Sequence, residues 1–233
     1  MIRRICILTK SYKNSGYCVA GIDIYTKEWI RLVGDENPYY DEIKKEMLDL
    51  ASPKIECLDI IEVDLCKPIP NSCQSENWLV NFGVELKKID TISLSQLNKL
   101  LQIDHGEYFI SNFNPRLTAE EINKVNRSLF AYILENFKIS ARFDDYYARY
   151  IYKCSFDYNG HHYSNISLTD PIYRDFNKDN EVLEKALIIA SLPCLPYSDD
   201  LYYKFVAKVF PIDTNLFKNT GFLVIKKEGR SFL

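Results

Sequence analysis

CVAGIDIYTKEWIRLVGD, Cys18 to Asp35, reads as two short strands joined by a tight polar turn at Thr26-Lys27. Apolar residues alternate over Cys18–Tyr25 and again over Glu28–Val33, the pattern of a β-hairpin with one buried face. On the second strand Ile30 and Leu32 share one face and Trp29 and Arg31 the other. A later stretch repeats the design. In CSFDYNGHHYSNISLTD, Cys154 to Asp170, Asn159-Gly160 is a strong hairpin-turn signal, and Tyr163, Asn165 and Ser167 alternate with Ser164, Ile166 and Leu168. Ile30-x-Leu32 before Gly34-Asp35 matches Ile166-x-Leu168 before Thr169-Asp170, which predicts a duplicated unit.

Working outward, a strand is predicted over Ile2–Thr9, then a polar turn over Lys10–Gly16, the hairpin, and a helix over Tyr40–Leu50. That helix is read from Ile43, Met47 and Leu50 at helical spacing, with Asp41 and Glu42 in its first turn. Leu58–Cys66 alternates as a half-buried strand, and Trp78–Leu86 reads as a fifth strand with Trp78, Val80, Phe82 and Val84 on one face. Three strands, a helix and two strands is the element order of an OB-fold barrel. Ser93 opens a short helix, and Thr118-Ala-Glu-Glu121 is a capping box starting another that is predicted to run to about Ser128.

The second half gives strands over Leu129–Ile139, Tyr147–Tyr158, His162–Leu168, Ala186–Leu192 and Tyr202–Phe210, with a helical turn entered at Asp170-Pro171. A last strand-like run, Gly221–Lys226, has no place in this scheme. The predicted fold is therefore mainly β with short helices (α+β): two tandem OB-fold-like small β-barrels joined by a helical linker. The divisions are 1–92, 93–128, 129–211 and a C-terminal extension, 212–233.

Several runs carry a further signal: RRICILTKSYKNSGYCVAGIDIYTKEWIRLVG, LDIIEVDLCKPIP, the QSENW around Glu76-Asn77, ISLTDPIYR, and the late SLPCLPY and YYKFVAKV. Together, from Ile2 to about Phe210, they resemble the dual OB-containing domain family of bacterial and archaeal proteins. The resemblance implies two successive OB-like barrels and a nucleic-acid-binding role, and it carries over no catalytic residues. One departure is that Ser191-Leu192-Pro193-Cys194 stands where a Ser-Leu-Gly-Glu type turn is expected.

With 47% hydrophobic and 26% charged residues, the 233-residue chain has an ordinary globular composition, so a packed core is expected throughout. Its 17 Tyr and 13 Phe, against 8 Gly, supply many rings to finish a β-rich core or line a contact surface. A net charge of −3 and a pI near 5.7 argue against attachment to nucleic acid through bulk electrostatics. Local clusters remain, at Arg3, Arg4, Lys10 and Lys13 and at Lys226, Lys227 and Arg230. Seven scattered cysteines with no CxxC pair read as reduced core thiols of a cytoplasmic protein, and no membrane association is expected.

Phosphate-loop motifs are missing from the sequence. His161-His162 point to opposite faces of a strand, and His105 stands alone in the linker. Asp41-Glu42-Ile43-Lys44 has the letters of a nuclease ExK element but falls on the predicted helix, and Glu62 and Asp64 solvate a strand. The expectation is accordingly a binding module with no catalytic residues, metal or cofactor.

In OB barrels the middle strands present rings on which bases stack. The candidate ligand-binding residues are Trp29, Arg31 and Tyr25 in the first barrel, and Tyr163, Asn165 and Lys153 at matching places in the second. Trp29 has a competing reading, in which it covers its barrel or packs against the other, and Arg174 is read as one half of a structural salt bridge. The expected partner is single-stranded DNA or RNA, or a nucleotide-like ligand. The alternative is a protein partner or a small-molecule signal in a regulatory or defence system. A third reading, a nucleic-acid-processing enzyme with its site between the barrels, requires a carboxylate cluster that the spacing does not show.

Overall fold

The computed structural model describes residues 1–13, 16–49, 53–145, 148–175 and 181–212. The first half comprises β1 (Ile2–Lys13), β2 (Gly16–Asp23), β3 (Trp29–Val33), the short β4 (Ile43–Lys44), α1 (Lys45–Asp49), β5 (Asp59–Pro68), β6 (Asn77–Val80) and β7 (Lys87–Thr91). β1 pairs with β2, β2 with β3, β3 in parallel with β6, β6 with β5, and β5 again with β1, so five strands close a ring. β4 attaches to β2, and β7 to β5.

α2 (Leu94–Leu97), β8 (Arg116–Leu117) and α3 (Ala119–Ile122) lead to the second half: β9 (Leu129–Asp144), β10 (Arg149–Tyr158), β11 (His161–Leu168), α4 (Pro171–Asp175), β12 (Glu181–Ser191), β13 (Tyr202–Tyr203) and β14 (Phe205–Pro211). β9, β10, β11, β14 and β12 form a closed barrel whose third and fifth strands, β11 and β14, run parallel as β3 and β6 do. Both rings thus carry the OB-fold strand order, with a short helix after the third strand of each.

Local chemistry explains the turns. The Asp23 carboxylate accepts from the N–H groups of Tyr25 (2.8 Å) and Thr26 (3.0 Å), fixing the bend between β2 and β3. Asn159 and Gly160 both have positive φ, 50° and 76°, as a two-residue hairpin loop requires. At Gly21 a Cβ would stand 2.0 Å from the Cys6 carbonyl oxygen, so the crossing of β1 and β2 leaves room only for hydrogen. Both predicted capping boxes form, Ser93 with Gln96 and Thr118 with Glu121.

Element lengths differ from expectation in both halves: β9 runs on to Asp144, β12 starts already at Glu181, and the strand expected over Tyr202–Phe210 is split into β13, which pairs with β8, and β14. β1 continues to Lys13 because its pairing with β2 runs on to Gly16, where a turn over Lys10–Gly16 was predicted. α1 starts at Lys45, since Ile43 and Lys44 are drawn into pairing with β2. β6 stops at Val80: Asn81 turns the chain by accepting from Gly83 N–H (3.0 Å), which leaves Phe82 and Val84 exposed and off the strand. α3 ends at Ile122, well short of Ser128. Residues 213–233, which include the 221–226 run, and the side chain of Arg174 lie outside the described residues.

Each ring encloses its own core. Ile5, Ile7, Ile30, Leu32, Ile61, Val63 and Leu65 fill the first, whereas Phe137, Phe156, Tyr163, Ile166 and Leu168 are among those filling the second. A third apolar cluster lies between the rings. There Cys6, Leu8 and Ile22, on the outer face of the first barrel, meet Ala131, Leu187, Ile189 and Phe210 of the second, with Leu94, Leu97 and Leu101 of the linker. Alternation therefore serves two apolar layers: one strand face makes a barrel core and the other the seam between barrels.

A cationic and tyrosine-lined cleft between the barrels

A polar seam runs beside that apolar one, built by the run Gln74-Ser75-Glu76-Asn77 just before and at the start of β6. Gln74 Nε2 donates to the Leu192 carbonyl (3.0 Å), Ser75 Oγ to the Asn126 carbonyl (2.8 Å), and the Glu76 carboxylate accepts from the Ser128 N–H (3.2 Å) and hydroxyl. Arg31 reaches the same point from β3. Its Nη2 donates to Ser128 Oγ (2.7 Å) and Ser191 Oγ (3.3 Å) and lies 3.7 Å from Glu76 Oε1. Both side chains are 4% exposed, so each buried charge has its counter-charge beside it in place of water.

Next to this seam the barrels part to leave a cleft of about 720 Å³, within the range of small-ligand sites. The first barrel contributes Lys13, Arg31, Tyr12 and Tyr39, and the second Arg149, Tyr150, Tyr152, Tyr197 and Phe205. Among the described residues its lining holds three cations and no carboxylate. The carboxylates that balance it stand behind the wall: Asp41 pairs with Lys13, and Glu76 with Arg31. Ser191-Leu192-Pro193-Cys194, the segment that departs from the expected turn, also borders the cleft, and burial pushes the Cys194 thiol up.

The predicted site residues do not assemble as one face. Trp29 and Arg31 do point out of the first barrel, as alternation requires, but the second barrel covers that face. Trp29 is half-buried against the apolar seam, whereas Arg31 lies at the cleft floor. The Trp29 ring packs against the apolar cluster to which both barrels and the linker contribute. Tyr25 stands apart from the cleft, 68% exposed, its hydroxyl accepting from Arg4 Nη1 (3.1 Å).

Tyr163 is a correction. It is 1% exposed inside the second barrel, its hydroxyl accepting from the Phe109 N–H (3.0 Å). The cause is a bulge: Tyr163 pairs with Phe156 and Ile166 with Cys154, so two residues of β11, Ser164 and Asn165, face the single Ser155. Asn165 takes a positive φ of 60° there, stays exposed, and resets the alternation so that Tyr163 and Ile166 face the same way. Lys153 is half-buried and donates to Ser167 Oγ (2.8 Å) on the cleft wall, and burial pushes its ammonium down.

Sequence reasoning missed the tyrosines at 12, 39, 150, 152 and 197 and the cations Lys13 and Arg149, which come together only when the barrels dock. Among the described residues no cluster of His, Cys, Asp or Glu is placed to hold a metal ion, and no helix is long and apolar enough to cross a membrane. His161 and His162 sit at a hairpin end, His162 Nδ1 lying 2.7 Å from Asp157.

Two closed five-stranded rings of OB topology, docked through their outer faces, define a two-barrel OB-fold module. The family model described as the Dual OB-containing domain matches residues 3–209, and the chain belongs to that family. No curated protein matches the chain in sequence.

Proposed function

We propose that the chain binds single-stranded nucleic acid or a nucleotide-like ligand in the inter-barrel cleft. The observation that carries this reading is the lining itself: three cations and five tyrosines converge, with no carboxylate among the described residues there. Tyrosine rings offer stacking planes to bases at about 1–3 kcal/mol each, and guanidinium and ammonium groups on a lining that itself carries no carboxylate among the described residues favour phosphates. Such a site works on a protein of net charge −3, because the field that matters is local.

The test is fluorescence anisotropy of labelled oligothymidylate and oligouridylate across a salt series, with the parent chain and a Tyr150→Ala, Arg149→Ala double variant. Both residues lie at the start of β10, outside either barrel core, so the variant is expected to fold. Binding should weaken at least roughly tenfold in the variant and decline with salt in the parent. No binding by the parent at any salt, or equal binding by parent and variant, overturns the reading.

A further inference from the structure

We propose that the cleft floor is a phosphate seat formed by Arg31, Lys13 and Ser191. This rests on the reading that a nucleic-acid strand or nucleotide occupies the cleft, and it assigns which part of that ligand goes deepest. Strand register brings the groups together. Cys18 lies opposite Ser11, Arg31 opposite Ala20, and Lys13 two residues beyond Ser11, so Lys13, Cys18 and Arg31 point from the same outer face of β1, β2 and β3, and Ser191, at the end of β12, meets Arg31 there from the second barrel.

The hydrogen bonding of Arg31 is one-sided. Nη2 serves Ser128 and Ser191, whereas Nη1 has only the Cys18 thiol, a weak acceptor 3.7 Å away, and Nε has no partner among the described residues. A guanidinium 4% exposed, on the floor of an open cleft, with donors this poorly used is suited to accept an anion from above. Ser191 adds a donor. Its oxygen accepts from Arg31, and among the described residues its own proton has no acceptor. Lys13 Nζ is held by Asp41 and by the Pro38 carbonyl (3.3 Å), which fixes its charge beside the cleft.

A phosphate oxygen set can accept from all three groups at once. Chloride can match only the charge, and acetate supplies two oxygens in one plane.

The experiment displaces a labelled oligothymidylate from the parent chain with inorganic phosphate, chloride or acetate, each at the same ionic strength. Phosphate should act at roughly tenfold lower concentration than chloride or acetate. That advantage should fall toward one in Arg31→Lys and in Ser191→Ala. The serine variant keeps the test sound if the arginine variant fails to fold. Equal displacement by phosphate and chloride, with the strand still bound, overturns the seat and leaves the cleft reading standing. Acetate matching phosphate overturns the choice of phosphate, and an advantage unchanged in both variants overturns the residue assignment. A parent that binds no strand overturns the cleft reading itself.

Discussion

Arg31 of the first barrel donates from Nη2 to the hydroxyl of Ser128, the residue that leads into the second barrel, 2.7 Å away and 97 residues on in the chain. Glu76 closes the triangle at 3.7 Å from the same nitrogen and accepts from Ser128. Removing one charge leaves the other buried and alone, so Arg31→Met or Glu76→Gln should each cost about 3–5 kcal/mol. Combining the two should restore part of that loss, since no unpaired charge then remains. Urea denaturation of the four proteins measures this cycle, and strictly additive losses would show that the pair is not coupled.

Asn165 gives the second barrel its register. In the left-handed region an asparagine is tolerated and a β-branched residue is not, so Asn165→Val should cost about 1–2 kcal/mol and Asn165→Gly well under that. Denaturation midpoints of the two variants decide it. Equal losses would mean that contacts of the asparagine side chain matter more than the backbone angle.

Tyr163→Phe isolates a different contribution. The ring stays in the core, but the Phe109 N–H loses its acceptor in a buried position. A loss of about 1–3 kcal/mol is expected, because a stranded donor forfeits its hydration as well as its bond. Amide hydrogen exchange should quicken at Phe109 before it does in β9. Unchanged protection there would mean that another acceptor serves that N–H.

The same residues mark how far the sequence could be read. Both capping boxes, the Asn159-Gly160 turn, the duplication and the inward face of Ile30 and Leu32 are local, and each appears in the fold. Tyr163 was misplaced because strict alternation has no means of registering one inserted residue. The cleft was hidden for a different reason. Tyr12 and Tyr150 lie on separate barrels, and nothing in either strand announces that the two outer faces meet. Gln74-Ser75-Glu76-Asn77 held the best available signal: an acid flanked by polar residues at the start of a core strand, with no local partner.

Lys204 makes stability depend on pH. Its ammonium is fully buried and donates to the carbonyls of Phe109 (2.6 Å) and Asn112 (2.7 Å) and to Asn112 Oδ1 (2.9 Å), gripping a loop in which Ile110 and Ser111 have positive φ. Burial pushes it down to about 7 from 10.5. Below pH 7 folded and unfolded chains both hold the proton, and this lysine gives no pH slope. Between pH 7 and 10.5 the unfolded chain binds more protons, so stability rises with pH, by at most about 1.4 kcal/mol per unit. Buried thiols act oppositely: Cys57 and Cys73, raised to about 12 by burial, favour the fold less as pH climbs past 9. Taking the difference between the parent and Lys204→Met cancels the thiols. Urea midpoints at pH 6, 7, 8 and 9 should therefore show a gap between the two proteins that is constant up to 7 and then changes in favour of the parent. Parallel curves throughout would mean that the three acceptors hold the proton in place, since a neutral amine has only two N–H groups to give them.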